Sequence, residues 1–344
     1  MKKILQDLSF SELQALVAET GEKAYRAKQL YEGLMQGKKI SALPVPPALR
    51  ERLLSEYEDE PVRIEREFVS GDGTKKYLFA LADGNLVEGV LMKYKYGNTQ
   101  CVSTQVGCRM GCKFCASTLN GRLRDLTAGE ILCQILAVNR AEGGTLKERA
   151  VTNVVLMGSG EPFDNYVNVV KFLRNLTAEG GIGISSRNVS LSTCGLVPEM
   201  RAFAEEGIPV NLTVSLHAVT DEERRRTMPI ANRYSIAQIL DACAFYFERT
   251  GRRYIFEYSL IAGENCDEAH ALALAKLLKG RPCHVNLIRL NEVKERDLKT
   301  VTEKDAYRFL GVLEKNGISA TLRRSMGSDI GGACGQLRAS YLKK

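Results

Sequence analysis

The spacing of apolar positions along this chain changes character twice. Over 9–18 and 24–35 apolar residues recur every three to four positions, as in Ser9-Phe-Ser-Glu-Leu-Gln-Ala-Leu-Val-Ala18, the period of one helix face. Val45-Pro-Pro-Ala48 breaks that pattern before another helix over 49–57. Over 63–96 the period shortens: Lys76-Tyr-Leu-Phe-Ala-Leu81 and Leu86-Val-Glu-Gly-Val-Leu-Met92 flank Asp83-Gly84 and read as hairpin strands. A strict alternation follows. Strand-like runs at 100–106, 151–158, 188–192, 210–216, 254–260, 285–290 and 320–324 are separated by helical stretches at 128–138, 166–176, 198–206, 236–249, 269–278 and 304–315. Such alternation predicts an α/β fold with a parallel sheet. Six βα units suit a partial (βα)6 parallel barrel, smaller than the closed eight-fold one. The predicted organisation is a small N-terminal helical domain (1–60), a short β-rich extension (61–97), the partial barrel (98–327) and a tail (328–344) that carries Cys334.

Parallel α/β folds build their sites at the carboxyl ends of the strands. After the first barrel strand stands Cys108-Arg-Met-Gly-Cys112-Lys-Phe-Cys115, and after the second Gly158-Ser-Gly160-Glu161-Pro162. Ser192-Thr-Cys-Gly195 ends the third, Ser215-Leu216-His217 the fourth, and Asn291 follows the sixth. Thiolates, a glycine-flanked carboxylate, hydroxyls, an imidazole and an amide are thereby expected on one rim. Three cysteines in one loop are one short of a closed zinc site or an electron-transfer cluster. On a four-iron cluster they would leave one iron open for chemistry. Plainer readings stand beside this one: a partial zinc site, Glu161 as a helix cap, Ser192 and Ser215 as turn residues, His217 as a structural histidine. Cys133, Cys194, Cys243, Cys266 and Cys283 read as small packing residues.

The composition narrows the setting. The chain is 44% hydrophobic and 26% charged, with no apolar run of membrane-spanning length and no signal-peptide pattern. A cytoplasmic location and no membrane partner are expected. There ten cysteines serve metal or redox chemistry better than a static disulfide framework. A formal charge of +7 permits a nucleic-acid partner without demanding one.

The C-x3-C-x2-C loop, with Phe114 before its third cysteine and at the end of a first barrel strand, resembles the radical S-adenosylmethionine superfamily. Gly158-Ser-Gly160-Glu161 resembles its glycine–glutamate element. Cys101-Val-Ser-Thr-Gln-Val-Gly-Cys108, Ser215-Leu-His-Ala218, Met228-Pro-Ile-Ala-Asn-Arg233 and Asp329-Ile-Gly-Gly-Ala-Cys334-Gly-Gln-Leu337 extend the likeness to the RNA adenine C2 methyltransferases of the RlmN type, from about Gln6 to Arg338. The resemblance implies that Cys108, Cys112 and Cys115 ligate a 4Fe–4S cluster. It implies that Gly160, Glu161, Ser192, Ser215, Leu216, His217 and Asn291 contact S-adenosylmethionine, two molecules of which are used per turnover. Cys334 is then the methyl carrier, Cys101 the resolving thiol and Glu88 the proton acceptor. Two departures are visible. Gly332-Ala333 stands where the family usually has Ala-Ala, and Arg289 stands where many C2 enzymes have Pro and the C8 enzymes of the Cfr type tend to have Arg.

The implied substrates are 23S rRNA and the adenine 3′ of the anticodon in some tRNAs. The implied partner is a flavodoxin- or ferredoxin-like reductant, and the implied state a monomer. Adenine C2 is an electron-poor amidine carbon that cannot attack a sulfonium methyl. The family's route places the methyl on Cys334 first, adds its carbon to C2 by a radical step, and releases the product through a Cys101–Cys334 disulfide. Lys23, Arg26, Lys28, Lys75-Lys76, Arg224 to Arg226 and Arg323-Arg324 are the candidate phosphate contacts. The competing readings are C8 methylation on the same scaffold and a non-catalytic Fe–S or zinc RNA-binding protein with Cys334 as a fourth ligand.

Overall fold

Local signals in the sequence start most of the elements. In the computed structural model, which describes residues 2–337, Ser9 and Glu12 close a capping box that starts α1 (Phe10–Glu19). Helices α2 (Tyr25–Met35) and α3 (Pro47–Glu56) complete the N-terminal unit. This unit docks on α4 (Ala128–Ala141), which Thr127 and Glu130 cap in the same way. The Asp7 carboxylate accepts the Gly129 N–H at 2.6 Å, so the N-terminal segment helps to cap α4. A side chain at Gly129 would strike Ile4 and the backbone of Gln6 and Asp7. Leu5, Leu34 and Ile40 belong to the same continuous apolar core as Ile131 and Leu136 of α4.

The strands β1 (Val62–Val69), β2 (Lys75–Leu81) and β3 (Leu86–Tyr94) form an antiparallel meander, and β3 pairs antiparallel with β4 (Gly97–Cys101), setting Val90 opposite Cys101. The strand expected over 100–106 is divided. After Cys101 the chain leaves the ladder, and β5 (Gln105–Gly107) pairs instead with β6 (Arg122–Asp125) as a separate ribbon. Side chains take over the lost ladder bonds. Gln134 accepts from the Ser103 N–H and donates to its carbonyl, while Ser103 Oγ donates to the Glu88 carbonyl and accepts from the Ser159 N–H. This bend turns the loop after β5 toward the rim.

From β4 the sheet runs parallel and in chain order through β7 (Asn153–Leu156), β8 (Val189–Thr193), β9 (Asn211–Ser215), β10 (Tyr254–Leu260), β11 (Cys283–Arg289) and β12 (Ala320–Leu322). The six parallel pairings between β4 and β12 match the six-unit partial barrel, and the extension continues the same ten-stranded sheet at one edge. The connecting helices are α5 (Tyr166–Thr177), α6 (Val197–Glu205), α7 (Asp221–Thr227), α8 (Ile236–Thr250), α9 (Glu268–Leu278) and α10 (Glu303–Lys315). Because neighbouring strands are consecutive, every strand-to-helix loop opens on the same rim. No helix among the described residues is long and apolar enough to cross a membrane.

Candidate active site at the carboxyl ends of the strands

The loop after β7 approaches the backbone of Val102 to Gln105 too closely for side chains. A Cβ on Gly158 would lie 2.5 Å from the Val102 carbonyl oxygen, and one on Gly160 (φ +112°) 2.8 Å from the Gln105 nitrogen. Glycine at both positions lets the loop turn inward and bury Glu161. Its carboxylate accepts the Phe163 N–H (3.1 Å) and the Cys194 N–H (2.7 Å). It therefore caps the short 3-10 turn Pro162–Asn165, and it also lines the central cavity. Burial raises its pKa, and the hydrogen bonds it accepts work the other way.

Across that cavity stands the three-cysteine loop. Cys108 N–H donates to the Gly121 carbonyl and Lys113 N–H to the Thr227 carbonyl, and Thr118 Oγ1 binds the carbonyls of Cys112 and Cys115. All three thiols line the cavity, whose volume is about 850 Å³ with its open mouth. Burial pushes the Cys108 thiol up to about 12 and raises Cys112 and Cys115 as well, and negative charge on Cys115 raises Cys108 and Cys112 further. Thiols this basic stay protonated unless a cation holds them as thiolates. Among the described residues no three His, Cys, Asp or Glu side chains converge on a single-ion site. Three thiols spread along the wall of a roomy cavity fit a multi-iron cluster with an open corner, and not the closed shell of one ion.

Gly160, Glu161, Ser192, Ser215, His217 and Asn291 all line this cavity together with Cys108, Cys112 and Cys115. Leu216 does not. Its side chain is buried in the core, while its N–H goes to the Glu257 carbonyl and its carbonyl accepts from Arg224. His217 is the one non-glycine residue with positive φ (57°) among those described. Its Nδ1 accepts the Ser259 N–H at 2.9 Å, and Phe114 packs edge-on against the ring. Burial lowers its pKa to about 3, with the Arg224 charge adding to the effect. The ring is therefore neutral, and its proton sits on Nε2.

The tail crosses the rim and closes one side of the cavity. Ala116 N–H donates to the Gly335 carbonyl (2.7 Å), and Ser117 Oγ donates to that of Leu337 (2.8 Å). Asn291 Nδ2 donates to the Cys334 carbonyl (3.1 Å), and Gln336 Nε2 to that of Glu292. Further back, Asp329 accepts from Ser70 Oγ (2.6 Å) and the Gly71 N–H, and Asp72 accepts the Gly327 N–H. These bonds tie the tail to the β1–β2 turn. On its far side the tail closes a second cavity, lined by Cys101, Val90, Met92, Tyr94, Arg323 and Arg324. Cys334, Met157, Ile288 and Asn291 line both cavities. Cys101 and Cys334 are both free thiols, and Leu337 packs against Cys101 and Val90.

Glu88 lines neither cavity. It is 1% exposed on β3 and lies on the strand face of Val90 and Met92, with Lys76 Nζ 3.3 Å from its carboxylate. Several phosphate candidates are likewise occupied within the fold. Arg224 is fully buried and donates to the carbonyls of Cys194, Ser215 and Leu216, so it braces the rim and cannot reach RNA. Lys76 is buried beside Glu88, and Lys75 bridges Glu67 and Glu142. Lys23, Lys28, Arg225, Arg226 and Arg324 remain exposed. Arg338 lies outside the described residues.

The sequence reading missed Glu257. Arg323 Nη1 donates to Glu257 Oε1 at 2.7 Å and approaches the Met157 sulfur, forming an ion pair between the two cavities. A carboxylate inside the mostly apolar run Tyr254-Ile-Phe-Glu257-Tyr-Ser-Leu260 was the available signal. Cys334 is exposed at the rim, and the protein packed around its thiol raises it to about 12, with Glu257 adding to the shift and Arg323 opposing it.

The model of the radical SAM superfamily matches residues 102–275. Two relatives, each called a probable dual-specificity RNA methyltransferase RlmN, come from Clostridium perfringens strain SM101 and Lachnoclostridium phytofermentans. The first is 51% identical over 100% of this chain and 98% of its own length, the second 51% over 99% and 95%. A crystal structure of a radical SAM methyltransferase from Sphaerobacter thermophilus superposes with a TM-score of 0.94 at 41% identity, covering 98% of this chain and 100% of that one. The chain belongs to the radical SAM superfamily and, within it, to the family of its RlmN relatives. Membership implies a 4Fe–4S cluster and S-adenosylmethionine, which the donor set and the cavity fit.

Proposed function

We propose that the chain methylates C2 of an adenine in RNA, acting on 23S rRNA and on the adenine 3′ of the anticodon in some tRNAs. The observation that carries this reading is the place of Cys334 on the wall between two cavities, one holding the three-cysteine loop and the other Cys101. Cys108, Cys112 and Cys115 would hold the cluster. Gly160, Glu161, Ser192, Ser215, His217, Asn291 and the backbone at Leu216 would hold S-adenosylmethionine. When bound, these groups supply a 5′-deoxyadenosyl radical. The chain's own residues do the rest.

Cys334, as thiolate, would take the methyl of a first S-adenosylmethionine, its S–CH3 bond forming as the methyl–sulfonium bond breaks and S-adenosylhomocysteine leaves. A second S-adenosylmethionine is used in activating that methyl. Once its carbon is joined to C2, Glu88 takes the C2 proton. Glu88 stands behind Val90 against Lys76 and lines neither cavity, so this transfer requires the β2–β3 face to open toward the bound base. Cys101, as thiolate, then attacks the Cys334 sulfur; the S–C bond breaks, the departing carbon takes up a proton to become the product methyl, and the Cys101–Cys334 disulfide left behind is reset by a two-electron reduction. A flavodoxin- or ferredoxin-like donor supplies electrons. The enzyme is proposed to act as a cytoplasmic monomer, with Lys23 and Lys28 of the 1–60 unit among its RNA contacts.

Anaerobic turnover on RNA followed by nucleoside mass spectrometry tests the reading. 2-Methyladenosine is expected, and 8-methyladenosine in its place overturns it. Cys334→Ala is expected to keep full iron content and lose methylation. Loss of iron would instead make Cys334 a metal ligand.

A further inference from the structure

The β3–β4 turn stands at the edge of the second cavity and has no part in the chemistry above. Its sequence, Lys93-Tyr94-Lys95-Tyr96, interleaves aromatic and basic residues. Tyr94 lines the cavity beside Cys101 and Arg324. Tyr96 stacks on Tyr94 with ring centroids 4.9 Å apart and planes 7° from parallel. It is nevertheless 70% exposed, more than any other aromatic ring among the described residues. One face of Tyr96 is thus fixed by its neighbour, and the rest of the ring meets solvent next to the residue that lines the cavity. The turn that holds it there is tight, with Tyr94 paired to Gly97 at φ +132°. Lys95, within the same turn, and Arg324, on the cavity lining, are both exposed and add positive charge to this edge.

We propose that Tyr96, backed by Tyr94, is a stacking platform for a nucleobase of the substrate RNA that neighbours the target adenine. The inference rests on the RNA methyltransferase reading and deepens it by naming where the strand beside the extruded base is held. A base entering the second cavity must leave its stack, and its neighbour then exposes a π-face with no partner. An aromatic ring already ordered by Tyr94 meets that face at little entropic cost. The nearby Lys95 and Arg324 suit phosphates of the strand that carries such a base. A protein partner at this edge would not call for interleaved cations next to the cavity that receives the base.

Tyr96→Ala, Tyr96→Leu, Tyr96→Phe and Tyr96→Trp separate stacking from mere apolar contact, and equal thermal midpoints confirm that each variant is folded. With an rRNA fragment bearing the target adenine, Tyr96→Ala is expected to raise the RNA KM by about 5-fold to about 150-fold. A stack present in both ground and transition states leaves kcat unchanged. Phe and Trp are expected to keep the wild-type KM within about 3-fold, and Leu to behave as Ala. The salt dependence of binding should keep its wild-type slope, because stacking releases no counterions. A Tyr96→Ala enzyme with wild-type RNA KM, or a Leu variant as good as Trp, overturns the platform. If wild-type protein methylates no RNA at all, the underlying reading falls instead, and the two failures cannot be confused.

Discussion

His217 and Arg323 show how single residues set the electrostatics of this rim. At φ 57° a β-carbon is strained, and the backbone holds because Nδ1 accepts the Ser259 N–H and Asn265 donates to the His217 carbonyl. The pKa is lowered to about 3 by burial. The unfolded chain takes up a proton near pH 6.5 and the folded chain only near 3, so His217's contribution to stability is complete above pH 6.5. It falls away as the pH drops toward 3, at up to about 1.4 kcal/mol per pH unit. His217→Asn keeps an acceptor near Nδ1 and tolerates positive φ but cannot titrate. Urea unfolding of both proteins between pH 7 and pH 4.5 should show the variant less acid-sensitive, and equal slopes would sink the assignment. The pair of buried Glu257 and half-buried Arg323 yields opposed signs at Cys334. Removing the Glu257 charge (Glu257→Gln) takes away an effect that raises the thiol pKa, and Arg323→Gln takes away one that lowers it. Peptide mass spectrometry of iodoacetamide labelling at Cys334 should find Glu257→Gln faster than wild type and Arg323→Gln slower.

Among the elements, the tail is the one whose position matters most, because it carries Cys334 across the open side of the barrel. Its rear anchor is an exchange of hydrogen bonds with the β1–β2 turn. Asp329 accepts from Ser70 and Gly71, and Asp72 accepts from Gly327. Gly327 has φ +66°, and a Cβ there would lie 2.9 Å from Thr74. Partial desolvation raises the Asp72 pKa, but the Gly327 N–H, with Thr74 and Ser70 of the turn, holds it down to about 2, so the Gly327 contribution persists above pH 4 and is lost as the pH falls toward 2. The double change Asp72→Asn, Asp329→Asn should free the tail at neutral pH. Protease cleavage over 326–337 and Cys334 labelling are both expected to rise several-fold, and an unchanged rate of both would place the anchor elsewhere. The strand–helix alternation was legible because buried parallel strands and amphipathic helices leave different periods. The split after Cys101 was not legible, since it depends on Gln134 and Ser103 meeting across 31 residues. Nor was α7, whose Asp221-Glu-Glu-Arg-Arg-Arg226 run has no apolar face and turns inward only at Arg224. The rim residues were legible as strand ends. The Glu257–Arg323 pair needed the register of β10 and β12 on either side of β11.

On the scale of the whole molecule, one core joins what the sequence divides at residue 60. The N-terminal helices and the barrel meet at α4, the helix that follows the three-cysteine loop and whose Gln134 holds the bend after Cys101. The docking of the N-terminal unit is therefore mechanically close to the site, and Gly129 is its tightest point. In an exposed helix, Gly→Ala should stabilise by about 1 kcal/mol through propensity alone. Here a Cβ would lie 2.7 Å from Ile4 Cγ2, 2.8 Å from the Asp7 nitrogen and 2.9 Å from the Gln6 carbonyl carbon. Two of those three neighbours are backbone atoms that cannot rotate aside. The Asp7–Gly129 hydrogen bond, at 2.6 Å, would be stretched as the segment moved. Overpacking of this kind costs about 1–3 kcal/mol, enough to exceed the propensity gain. Gly129→Ala should therefore lower the urea midpoint. Protease cleavage between residues 4 and 10 should also increase, because the strain is relieved most readily by lifting that segment off α4. A variant more stable than wild type would mean that the N-terminal unit yields freely, and that its tie to the rim through α4 is slack.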